Sequence, residues 1–150
     1  HITYNFSGMD EVMAEAYRML STRLRAASDA GSAIAAPDAR LAAFLRVGFA
    51  EPFLTQAYIR ARIDLWSAAA AHPAVAETEL ALYTHYRRRL EEILAPLVHP
   101  ARLIPVTDTI MATLDGLWLD WMRRRNLEAV DNGLRMIGEL VAQQPRPDGT

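Results

Sequence analysis

Two charged residues stand among the aromatics of this sequence: Arg62, one helical turn before Trp66, and Asp115, three residues before Trp118. Around them Phe44, Phe49, Tyr58, Tyr83, Tyr86 and Trp121 recur in segments that otherwise carry aliphatic residues at helical spacing. An interior lined by Trp and Tyr is either a packed core or the wall of a pocket for an apolar or cationic ligand. A carboxylate on such a lining is costly unless it is paired or wetted. Either Asp115 and Arg62 meet, or one of them faces a cavity. The candidate ligand-binding set is Phe44, Phe49, Arg62, Trp66, Tyr83, Tyr86, Asp115 and Trp118. With a free Asp115 the wall suits a compact cation; with Asp115 paired to Arg62 it suits an elongated apolar molecule.

Enzymatic chemistry finds little support. His1, His72, His85 and His99 do not pair at three- or four-residue spacing, and no Glu-x-x-His or His-Glu-x-x-His motif is present. No Gly-rich phosphate loop exists, so neither a catalytic residue, a metal nor a cofactor is expected. The run Arg87-Arg88-Arg89 reads as a solvated face with ion pairs to Glu91 and Glu92.

Helices must position these residues. Met13, Tyr17, Leu20 and Leu24 mark one face of a first helix from about Met9 to Ser28, entered through Ser7-Gly8. Pro37-Asp38 opens a second, with Leu41, Phe44, Leu45 and Phe49 inward and Pro52 interrupting it. A third carries Ile59, Ile63 and Trp66, and a fourth runs from about Pro73 to Leu97. Pro96, Pro100 and Pro105 then mark a loop before a fifth helix from about Thr107. Asn126 caps a sixth that ends near Gln143, and PRPDGT is expected to fray. The fold class is all-α, an antiparallel bundle of about six helices, with the pocket between its second, third, fourth and fifth members.

Composition agrees with one domain of this kind. Half of the 150 residues are apolar, which supplies a core, and the net charge of −2 argues against nucleic-acid binding by residues 1–150 alone. Cys is absent, which removes thiolate sites, and no apolar run is long enough to span a membrane. A cytoplasmic protein is expected. The last two helices carry surplus apolar surface: Ile110, Leu114, Leu117 and Trp121 on one, Leu127, Val130, Leu134, Ile137 and Val141 on the other. These nine are the candidate homodimer interface, two helices from each copy.

The opening ITYNFSGMDEVM resembles the junction that follows the recognition helix in TetR-family transcriptional regulators, and IRARIDLWSAAAAHP, YTHYRRRLEEIL and LDGLWLDW look like the ligand-binding half of its BetI-type branch. The resemblance implies a ligand-responsive repressor of which residues 9–143 are the effector-binding and dimerisation domain. Residues 1–8 would be the end of a truncated helix-turn-helix domain, and 144–150 a flexible tail. It places Tyr4 and Asn5 at positions that approach DNA phosphates, with operator DNA contacted only through the N-terminal domain missing here. The effector is an unknown small molecule, since branch members answer to varied compounds. A free-standing helical adaptor, favoured by an exposed Arg62 over a dry core, is the alternative; a small all-α enzyme using the aromatic cavity is another.

Overall fold

Six helices account for the architecture of the computed structural model: α1 (Thr3–Ser32), α2 (Pro37–Val47), α3 (Gln56–Ala71), α4 (Pro73–Leu94), α5 (Pro100–Arg124) and α6 (Leu127–Ala142). The structure describes the backbone of residues 3–150 and the side chains of Glu11, Ala14, Glu15 and residues 17–150. No strand occurs among the described residues. The chain is all-α, as its periodicity predicts.

Local signals set most helix starts. Pro37, Pro73 and Pro100 each open a helix, where a proline's missing N–H is no loss and its fixed φ fits. The Thr55 side chain accepts from the Tyr58 N–H at 3.2 Å, and the Asn126 side chain from the Ala129 N–H at 3.2 Å. His99 caps α5 through Nδ1, which accepts from the Ala101 N–H at 3.1 Å.

Five boundaries differ from the sequence expectation. The backbone of α1 is helical through Ser7-Gly8 and continues to Ser32, because Ser28–Gly31 contains no residue that forbids a helix. α2 stops at Val47, not at Pro52, and the turns of 48–55 bury Phe49, Phe53 and Leu54. α4 ends at Leu94, short of Leu97. α5 begins at Pro100 and carries Pro105 inside it. That proline lies in the second turn, where it forfeits one backbone bond, and the Thr109 hydroxyl donates to its carbonyl at 2.9 Å.

The core joins α2 (Leu41, Phe44, Leu45) to α4 (Leu90, Ile93, Leu94), α5 (Val106, Ile110) and α6 (Val130, Ile137, Val141). α1 packs against α2, α3 and α4, and α6 packs against α2 and α5. This arrangement corrects the expected interface. Ile110, Leu114, Val130, Ile137 and Val141 are buried inside the chain, because α2 and α4 already cover the stripe assigned to a second copy. Leu117, Trp121 and Leu134 are half-buried against the same core, and only Leu127 of the nine is exposed.

The C-terminal segment is also better fastened than fraying implies. The His99 N–H donates to the Pro145 carbonyl at 2.7 Å, Arg102 Nε to Gln144 at 3.0 Å, and Arg146 to the Leu97 carbonyl at 3.3 Å. Residues 144–146 thereby latch the turn between α4 and α5.

Candidate functional site

α1, α3, α4 and α5 enclose a cleft, each through residues one or two turns apart. Leu20, Arg23 and Leu24 come from α1; Arg62, Leu65 and Trp66 from α3; Glu79, Leu82, Tyr83 and Tyr86 from α4; Met111, Leu114, Asp115 and Trp118 from α5. The spacing of each set puts it on one helix face. The space left for the centres of water-sized molecules is about 50 Å³, enough for a few waters, and the crevice encloses about 630 Å³ when its open side is included.

Trp118 is the floor of the cleft. Its Nε1 donates to the Gly48 carbonyl at 2.8 Å, satisfying both groups where water is excluded. Gly48 eases this approach, since a Cβ there would come 3.2 Å from the indole, a tight contact. Phe49 supports the ring from behind at 5.5 Å between centroids, and Tyr58 meets it edge-on at 6.0 Å. The Arg23 guanidinium lies 4.3 Å from the Trp118 centroid and 4.5 Å from that of Tyr86. That of Arg62 lies 4.1 Å from Trp118 and 5.1 Å from Trp66. On the α4 wall, Arg87 donates to the Tyr83 hydroxyl at 3.2 Å while pairing with Asp108 at 2.6 Å and Glu91 at 3.5 Å. Arg89 pairs with Glu92 at 2.9 Å, so the Arg87–Arg89 run forms the ion pairs its sequence suggests.

The charges in the cleft are poorly compensated. Among the described residues, Nε of Arg23 and both Nε and Nη1 of Arg62 are buried without a hydrogen-bond partner, as is the Tyr58 hydroxyl. Arg62 faces Asp115 at 3.6 Å, with 13% of the arginine side chain exposed and 41% of the aspartate. Burial, reinforced by the positive charge of Arg23, pulls the Arg62 pKa down to about 10; nearby Tyr58 and Asp115 oppose that fall. Burial likewise pushes the Asp115 carboxyl up, against the pull of Arg62 and Arg23. The Tyr86 hydroxyl is raised by burial, with Arg23 working the other way.

Six of the eight expected lining residues therefore converge: Arg62, Trp66, Tyr83, Tyr86, Asp115 and Trp118. Phe44 and Phe49 do not. Phe44 is 0% exposed and stacks on Tyr86 at 4.9 Å, and Phe49 backs Trp118, so both form a second layer. The fourth wall is α1, not α2, which stands behind that layer. Arg23 is the residue that sequence reading misses. It is 7% exposed, and Leu20, Arg23 and Ala27 recur at the spacing of one buried face, a signal that the sequence itself carries. The side chains of Tyr4 and Asn5, expected near DNA phosphates, lie outside the described residues.

The guanidiniums and rings of the cleft are groups that can hold a small ligand. Among the described residues no group of three His, Asp or Glu side chains is placed to hold a metal ion, and no described helix is long and apolar enough to cross a membrane. Comparison with curated proteins and with solved structures gives no match. Residues 37–145, from the start of α2 to just past α6, match the family described as BetI-type transcriptional repressor, C-terminal. That match covers most of the chain and includes three of the four walls of the cleft, leaving α1 outside it. A six-helix chain with this match belongs to the TetR family, as a BetI-type repressor C-terminal domain, and is part of a transcriptional regulator.

Proposed function

We propose that this chain is the effector-binding and dimerisation domain of a ligand-responsive repressor acting in the cytoplasm, with the cleft between α1, α3, α4 and α5 as its effector site. The observation that carries the reading is the pair of buried guanidiniums left short of protein acceptors on the lining of the cleft. A folded protein gains nothing from such a lining unless something else completes it. The domain limits keep residues 1–8 as the end of a helix-turn-helix unit, 9–143 as the effector and dimer domain, and 144–150 as a tail latched at its first residues. Operator DNA is contacted through the N-terminal unit.

α1 is the natural carrier of the response. At 1.5 Å per residue its thirty residues span about 45 Å, of which about 25 Å lie between Leu20 at the cleft wall and Thr3. A ligand that displaces Leu20, Arg23 or Leu24 moves the helix that holds them. The effector thereby favours one position of α1 over another, which is the differential affinity any such switch needs.

The homodimer is assigned to the outer face of α5 and α6. Thr109, Ala112 and Gly116 on α5 and Met136 on α6 are exposed there. A thermal-shift screen over small molecules of graded charge tests the effector site, with hydrogen exchange of α1 followed for each stabilising compound. Stabilisation that Trp66→Ala abolishes, together with altered α1 exchange, is expected. A panel in which nothing stabilises the wild type, or whose hits ignore Trp66→Ala, would remove the effector reading.

A further inference from the structure

The chemistry of the cleft selects a class of ligand. Arg23 and Arg62 both rest on Trp118, and Arg23 also covers Tyr86 while Arg62 reaches Trp66. The aromatic faces that would cage a cation are thus already taken by the protein's own cations. What remains unsatisfied is on the donor side: Nε of Arg23, and Nε and Nη1 of Arg62. Asp115 does not supply the acceptor, standing 3.6 Å off with its side chain only partly buried. Glu79, the other acid on the lining, forms no ion pair with either guanidinium among the described residues.

A cationic ligand would add a third positive charge before it reached Asp115. A purely apolar one would leave the buried N–H groups without an acceptor and the two positive charges uncompensated. An anion answers both problems. It accepts from Arg62 and offsets the repulsion between two positive charges held in a desolvated site.

We propose that the effector is an organic carboxylate on a flat apolar body, its headgroup in the enclosed space beside Arg62 and Arg23 and its body against Trp66, Tyr83 and Leu24. This rests on the effector-site reading above. The enclosed volume of about 50 Å³ admits the carboxylate in place of a few waters, and the open side of the crevice takes the ring.

Three probes with one ring and three headgroups test it on the full chain: benzoate, benzamide and benzylammonium. Binding is read by tryptophan fluorescence and by thermal shift, in the wild type, Arg62→Gln and Asp115→Asn. Benzoate is expected to bind most tightly. Arg62→Gln should weaken it about tenfold or more, the loss of one charge-assisted hydrogen bond, while leaving benzamide little changed. Asp115→Asn should tighten benzoate by removing the competing acid, and it keeps the test decisive if Arg62→Gln folds poorly. If benzylammonium or benzamide binds as well as benzoate, or benzoate ignores both substitutions, the carboxylate assignment is overturned and the effector site stands. If none of the three binds at millimolar concentration, both fall.

Discussion

Arg62 and Asp115 face each other at 3.6 Å, close enough for an ion pair and too far for a hydrogen bond. That separation leaves Arg62 charged, buried and under-coordinated, since Tyr58 lies near it without completing a well-formed bond. Holding the charged form with a pKa pulled down to about 10 costs about 3 kcal/mol, and loss of its ring contacts would return ~1–2 kcal/mol of that. Arg62→Met should therefore raise stability by about 1 kcal/mol, or roughly 2–4 °C for a chain this long, while ending carboxylate binding. Thermal unfolding checks it. A variant less stable than the wild type would mean that Arg62 is a structural clamp.

Asp115 makes a prediction about pH. Its carboxyl is raised by burial despite two nearby guanidiniums, so the folded state holds the proton more tightly than the unfolded chain. Its contribution to stability is then full below the ordinary value of 3.8 and lost as pH rises through the higher folded value. Asn resembles the protonated acid at every pH. Asp115→Asn and the wild type should match at about pH 3, and the variant should be the more stable at about pH 7. Paired melting curves decide it, and a wild type favoured at neutral pH would show that the pairing with Arg62 outweighs burial.

Much of this is legible in residue spacing, and what is not has identifiable causes. Arg62 with Trp66, and Asp115 with Trp118, share helix faces, so their convergence follows once α3 and α5 pack together. Phe44 and Phe49 read as lining residues because aromatic type does not distinguish a lining ring from the ring behind it. Arg23 escapes notice because an arginine on an amphipathic helix ordinarily points to water, although its register with Leu20 and Ala27 says otherwise. Pro105 reads as a loop residue, yet a proline in a second turn removes only one bond and tertiary packing of Val106 and Ile110 repays it. The stripes on α5 and α6 identify buried faces but not whose surface buries them.

Trp118 should be hard to replace even by a ring of similar character. Phe cannot donate to the Gly48 carbonyl, and that acceptor would be left in a buried site. Trp118→Phe should cost ~2–4 kcal/mol, from the orphaned carbonyl and the vacated space together. Denaturant unfolding measures it, and a loss below ~1 kcal/mol would indicate that water reaches Gly48.

Gly116 bears on the dimer. It lies in the middle of α5, exposed, and a Cβ added there meets nothing within 4 Å in its own chain. A mid-helix glycine costs about 1 kcal/mol relative to alanine, so nothing inside the monomer accounts for it. A closely approaching partner helix would. Thr109 and Ala112 flank it on the same exposed side, and Met136 offers exposed apolar surface on α6. In a homodimer joined through this face, Gly116→Leu should force the copies apart, and Met136→Glu should set like charges near each other across the two-fold. Both variants should sediment as folded monomers at concentrations where the wild type is a dimer. Ile137→Glu, one residue along α6 but buried in the core, should instead unfold the chain. Were the chain a monomer, Gly116→Ala would raise its stability by about 1 kcal/mol and Met136→Glu would leave sedimentation unchanged; that pair of results would retire this face as an interface.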